Sequence, residues 1–166
     1  MSDILITEYS ETDKAEICVL FNKFGEYLKN LDQKYLKLLI VPEGYGESWH
    51  NMMVSDVKEK KGKIFVLRDN SKIIGFISGV IFDVGNSKDE KDCKPHRMGR
   101  VTELYIDETY RGKGLGSMLI AEIERYFRIQ NCFKVNIEVF GPNQSAYNFY
   151  KKHGYTDRNY DLAKVL

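Results

Sequence analysis

The segment Arg111-Gly112-Lys113-Gly114-Leu115-Gly116-Ser117 constrains this chain more than any other. It follows a β-rich run, Val101-Thr102-Glu103-Leu104-Tyr105-Ile106, and opens an apolar stripe of Leu115, Met118, Leu119, Ile123, Tyr126 and Phe127 that repeats at helical spacing. Strand, glycine turn and amphipathic helix therefore follow one another directly. The first N–H groups of a helix lack internal partners and carry partial positive charge, so a turn free of side chains at this point can cradle a phosphate or pyrophosphate. Arg111 and Lys113 add formal charge. The plainer reading is that the glycines only permit a tight turn. A P-loop would need GxxxxGK followed by Ser or Thr, and a GxGxxG fingerprint begun at Gly112 would need glycine where Ser117 stands, so ATP and NAD are disfavoured.

The 166 residues suit one domain spanning 1–166, and 43% hydrophobic with 30% charged residues is the composition of a chain that folds alone. A formal charge of +1 gives no footprint for nucleic acid, so any anion site must be local. Cys18, Cys93 and Cys132 are odd in number and widely spaced, which suggests neither a disulfide framework nor a zinc cluster. His50, His96 and His153 are isolated, and no metal is expected. Neither a signal peptide nor a membrane-length apolar run is apparent, and the reading is a cytoplasmic protein without membrane partners.

Along the chain, residues 3–9 read as a strand, and Ser10 or Thr12 as the cap of a helix carrying Ile17, Leu20, Phe21, Phe24, Leu28 and Leu31. Trp49, Met52, Met53 and Val57 mark a second helix that ends near Gly62. Residues 63–68 and 72–84 form a hairpin about Asp69-Asn70-Ser71, residues 85–99 one surface loop, and residues 100–106 the motif strand. A strand over 134–140, a helix over 143–152 closed by Gly154, and strand-like pieces over 155–166 complete the order βααβββαβα with a β tail. This is an α+β or mixed α/β pattern, not a doubly wound one.

Two motifs in this order resemble the GNAT superfamily of N-acetyltransferases. Arg111-Gly112-Lys113-Gly114-Leu115-Gly116 reads as its Arg/Gln-x-x-Gly-x-Gly/Ala signature. Asn143, Ala146, Phe149, Tyr150, Gly154 and Tyr155 read as its second pattern, an Asn opening a helix that ends in Phe-Tyr and a Gly-aromatic pair. The resemblance implies an acyl-CoA N-acyltransferase fold, with a central, mostly antiparallel twisted sheet flanked by helices. It implies acetyl-CoA as cosubstrate, no metal, an amine-bearing acceptor, and is compatible with a homodimer. With no cysteine in the motif strand or helix, acetyl transfer is expected to be direct. The alternative from another class is a non-catalytic acyl-CoA-binding or sensing module of the same fold.

Residue by residue, the resemblance assigns Arg111, Gly112, Lys113, Gly114, Leu115, Gly116 and Ser117 to the CoA pyrophosphate. Leu104, Tyr105 and Ile106, with Asn143, fall to the pantetheine arm. Glu103, expected on one strand face with Val101 and Tyr105, is the candidate general base; an edge carboxylate paired with Arg100 is the other reading. Tyr150 stands where a phenol donates to the departing CoA sulfur, or else packs in the core. Asn143 bonds the arm, caps its helix, or does both. Lys151 and Lys152 face phosphates or merely solvate the last helical turn. Tyr27, Tyr35, Tyr45, Trp49 and His50 mark an acceptor pocket or an ordinary aromatic core.

Overall fold

The computed structural model describes residues 3–85 and 94–165. The elements are β1 (Ile4–Glu8), α1 (Lys14–Asp32), α2 (Tyr45–Glu59), β2 (Lys63–Asp69), β3 (Lys72–Val84), β4 (His96–Ile106), α3 (Leu115–Ile129), β5 (Lys134–Ile137) and α4 (Gln144–Lys152). This is the expected α+β order, without the β tail. The five strands form one sheet in chain order, antiparallel from β1 to β4 and parallel between β4 and β5. Asn70, at φ 52, makes the β2–β3 turn, a left-handed position that Asn tolerates better than most residues.

Both sheet faces are covered, which gives two apolar layers. On one face the α3 stripe, Leu119, Ile123 and Phe127, packs on Leu67, Ile77 and Val101. On the other, Ile17, Leu20 and Phe21 of α1 and Met53 of α2 meet Val66, Phe76 and Tyr105. Phe127 needs two glycines beneath it: a Cβ at Gly79 or Gly99 would come within 2.5 or 2.6 Å of its ring. Helices α1 and α2 likewise approach closely at Gly46, whose N–H donates to Asn22 Oδ1 at 2.8 Å.

The pairing of β3 with β4 slips by one residue. Gly79 faces Val101 and Ser78 faces Glu103, which leaves Thr102 as the extra residue of a β-bulge. Alternation changes phase at that point. Val101 packs under α3, whereas Glu103, two residues before Tyr105 and opposite Ser78, turns toward α1 and α2. The expectation of one common face for Val101, Glu103 and Tyr105 is corrected: Glu103 shares the face of Tyr105 alone.

Three further readings change. The loop expected over 85–99 gives way to strand at His96, because Gly99 is a packing site for Phe127 rather than a turn; residues 86–93, with Cys93, lie outside the described residues. Strand β5 stops at Ile137, not 140, because β4 diverges from it there. No strand occurs over 155–165, where Tyr160, Leu162 and Val165 are exposed: apolar alternation forms no strand without a ladder to join. Among the described residues no helix is long and apolar enough to cross a membrane.

Candidate active site

Strands β4 and β5 pair only from Met98 and Lys134 to Val101 and Ile137. Beyond Val101 the remaining β4 edge faces no strand on that side, and a cleft of about 710 Å³ opens along it. The cleft brings together Glu103, Leu104, Tyr105, Ile106, Arg111, Gly112, Gly114, Leu115, Gly116, Ser117, Asn143 and Tyr150. Of the residues assigned to catalysis, the pyrophosphate or the pantetheine arm, Lys113 alone does not line it; its ammonium stands 5.0 Å over the Tyr110 ring.

Hydrogen bonds show which β4 backbone groups the cleft receives. Ile106 C=O accepts from Arg111 Nε at 3.0 Å, while the next N–H, of Asp107, donates back across the sheet to Ile74 O at 2.9 Å. Strand alternation then turns the N–H and C=O of Leu104 toward the cleft and those of Tyr105 toward β3. The Lys23 ammonium, 2.6 Å from Asp107, ties α1 to this strand end. That hydrogen bond is the main reason the Asp107 carboxyl is held down at about 2.

In the glycine turn, Gly112 and Gly114 lie at φ 77 and 79, which only glycine adopts without strain, and a Cβ at either would meet nothing within 4 Å. Their outer side is therefore open backbone at the start of α3, the cradle an anion requires. Gly116 differs. A Cβ there would come within 3.2 Å of Phe149, so this glycine serves the contact of α3 with α4. Ser117 Oγ lies 3.0 Å from His153 Nε2, and the His153 ring stacks edgewise on Phe149 at 4.5 Å. His153 looked isolated in the sequence; the fold places it behind the turn.

Across the cleft, the Arg111 guanidinium lies 4.5 Å from the Tyr27 ring and 5.3 Å from that of Tyr105. Tyr27 Oη donates to Asn143 Oδ1 at 3.1 Å, and the same oxygen caps α4 by accepting from Ala146 N–H at 3.2 Å. A contact between α1 and α4 thus spans the groove, a link that no local sequence signal announces.

Glu103 is partly buried and has no hydrogen-bond partner among the described residues. Burial pushes its carboxyl from 4.5 up to about 7. Arg100 approaches Glu138 instead, at 3.7 Å, so the edge pair with Glu103 is not formed. Tyr150 is 8% exposed, packs edgewise on Phe149 and Tyr155, and still lines the cleft, so it is both core and wall. Burial, followed by the charge of Glu103, raises its hydroxyl and keeps the phenol neutral. The same two causes raise Tyr45, which places Glu103 within electrostatic reach of both rings.

Of the expected acceptor cluster, Tyr27, Tyr45 and Trp49 line the cleft, joined by Phe24. Tyr35 and His50 do not. Tyr35 is exposed beyond α1, and His50 is buried with Nε2 2.8 Å from Tyr9 Oη. Lys151 pairs with Asp157 at 3.3 Å, and Lys152 is exposed. Among the described residues no three His, Cys, Asp or Glu gather as a metal site.

With this geometry in hand, comparison with known proteins is direct. The chain is similar to the thialysine N-epsilon-acetyltransferase of Sus scrofa, 23% identical over 159 residues that cover 95% of this chain and 86% of the relative. Its fold matches a solved tetramutant protein of Bacillus halodurans with a TM-score of 0.83 at 18% identity, over 98% of this chain and 99% of the other. A predicted acetyltransferase of Clostridium acetobutylicum, solved with acetyl-CoA, matches with a TM-score of 0.68 at 16% identity, over 98% and 96% of the two chains. The sequence model of the Acetyltransferase (GNAT) family matches residues 26–155, a span that holds the opened β4 edge, the glycine turn and the Asn143 helix, and the chain belongs to that family.

Proposed function

We propose that this single domain transfers an acetyl group from acetyl-CoA directly to an amine. The observation that carries the reading is the convergence of Glu103, Tyr150 and the unpaired β4 edge on one cleft. The open backbone at Gly112 and Gly114 fits a pyrophosphate, and a relative of the same fold is solved with acetyl-CoA. When bound, acetyl-CoA supplies an acyl group activated as a thioester. The chain's own residues supply the rest.

The turn from Arg111 to Ser117 holds the phosphates, and the Leu104 backbone aligns the arm. The Leu104 N–H is a donor aimed where a carbonyl oxygen gathers charge, a contribution worth about 3 kcal/mol in comparable sites. Glu103 accepts the proton of the acceptor ammonium, directly or through water, because a carboxyl near 7 is a far better base than one at 4.5. Tyr150, neutral and buried, donates to the sulfur as it leaves. Thiol release from acetyl-CoA in the presence of mixed amines tests the proposal, and amine-dependent release is expected. Binding of CoA with no release under any amine would make the chain an acyl-CoA-binding module of the same fold.

A further inference from the structure

The half of the cleft beyond Glu103 has a composition that selects among amines. Its walls are Phe24 and Tyr27 of α1 and Tyr45 and Trp49 of α2. Tyr45 packs closely on Gly25, where a Cβ would come within 2.5 Å of its ring, and its centroid is 5.7 Å from that of Trp49. Aromatic faces attract cations, and more strongly when water is excluded.

Charge in the cleft is sparse. Among the described residues that line it, only Glu103, Arg111 and Glu138 carry formal charge. The Glu138 side chain is 86% exposed and turned to Arg100. Arg111 is engaged with Ile106 O and fills the Tyr27 face with a cation of its own. Among the described lining residues, one carboxylate without a partner therefore remains, Glu103, within electrostatic reach of Tyr45 in the cleft that Trp49 also lines. The outer rim is net positive: the loop joining α1 to α2 is held by buried Asp32, which accepts from the N–H groups of Leu36, Leu38 and Leu39, and it leaves Leu38 and Ile40 exposed beside the exposed Lys34, Lys37 and Glu43.

Resting on the acetyltransferase reading above, we infer that the acceptor is a primary ammonium compound with a single positive charge, at the nitrogen that attacks, and an uncharged apolar body. The ammonium meets Glu103 on the side of Tyr45, and the body follows the aromatic wall toward Leu28. A second ammonium, as in a polyamine or an aminoglycoside, finds no second unpaired carboxylate among the described residues that line the cleft, and is repelled by Arg111. A phosphorylated amine finds only a guanidinium already bound.

Trp49 is the only tryptophan of the chain, so its fluorescence reports this half of the cleft without requiring turnover. Titration with hexyltrimethylammonium, 1-hexanol and spermidine, each with CoA present, is the test, alongside acetyl-CoA turnover of hexylamine, phenethylamine, spermidine and kanamycin. The expected result is saturable binding of hexyltrimethylammonium at least about tenfold tighter than hexanol and spermidine, weakened to the hexanol level by Glu103→Gln. The monoamines should then exceed the polycations in kcat/KM by a similar factor. Hexanol binding as well as the cation, or a polycation leading in turnover, overturns the inference while leaving acetyl transfer intact. Selective binding of the cation with no thiol release from any amine would instead sink the acetyltransferase reading and leave the cation site standing.

Discussion

Replacing Glu103 by Gln tests the chemistry and the energetics of the site together. Holding a carboxyl at about 7 instead of 4.5 costs the folded chain up to about 3 kcal/mol once the group ionises. The sign follows from proton counts. Between 4.5 and 7 the unfolded chain has lost this proton and the folded chain keeps it, so stability falls as pH rises through that window and levels off above 7. Glutamine cannot ionise and shows no such fall. The variant should match wild type near pH 4 and exceed it by about 1 to 3 kcal/mol at pH 8, a rise of roughly 2 to 10 °C in Tm for a chain of this size. Activity should move the other way. A lysine-like amine of pKa about 10.4 is free in roughly 1 molecule in 2500 at pH 7, so losing the base should lower kcat/KM by about 100-fold or more there. The deficit should shrink as alkaline pH supplies free amine. Urea unfolding at the two pH values and a pH profile of kcat/KM with one acceptor are the assays. A deficit equal at every pH, with no gain in stability, would refute the argument and make Glu103 a structural residue.

Tyr150→Phe should lower kcat about tenfold with acetyl-CoA affinity unchanged, since it removes a donor that matters as sulfur charge develops; steady-state kinetics and calorimetry check it. Gly114→Asp should abolish CoA binding in calorimetry, whereas Gly114→Ala, which carries the left-handed strain without the charge, should cost about 1 kcal/mol of stability and retain binding. Gly99→Ala should destabilise by about 1 to 3 kcal/mol in urea, because its methyl meets the Phe127 ring. Asp107→Asn should lose about 1 to 2 kcal/mol at pH 7, a figure discounted for the half-exposed Lys23. That loss should fade as pH falls from about 4 toward 2, where the wild-type carboxylate itself takes up its proton.

What the sequence disclosed was whatever depends on near neighbours. Helix faces repeat every three or four residues, the β2–β3 turn has its Asn70, and the glycine turn is contiguous, so these elements and most of the residues that line the cleft could be named from the chain alone. Contacts between distant segments could not. Gly99 looks like a loop residue until Phe127 is seen above it. The tail from Tyr155 alternates suitably for a strand and still joins no ladder. His50 and Tyr35 sit among the right aromatics in sequence, but the face of α2 turns His50 to Tyr9, and the turn that follows α1 leaves Tyr35 at the surface. The Tyr27–Asn143 contact joins residues more than a hundred positions apart, and nothing local in either segment marks it.

The extra residue at Thr102 is a parity switch in the strand that carries the site. Before it, odd-numbered residues of β4 serve the layer under α3; after it, odd-numbered residues serve the layer under α1 and α2. One strand thus supplies Val101 to one core and Glu103 to the cleft without either side chain crossing the sheet. Deleting Thr102 would leave Val101 and Glu103 as neighbours, still opposite Gly79 and Ser78, so each would keep its face and only the local bend would be lost. Drawing Thr102 into a regular ladder would do the opposite: Glu103 would share the face of Val101 and point into the α3 core, and the Leu104 side chain would enter the cleft, while the glycine turn stayed intact. Such a chain would keep the proposed phosphate cradle and lose the proposed base, so on this reading the capacity to hold a cosubstrate and the capacity to react with it are separated by whether a single amino acid is paired.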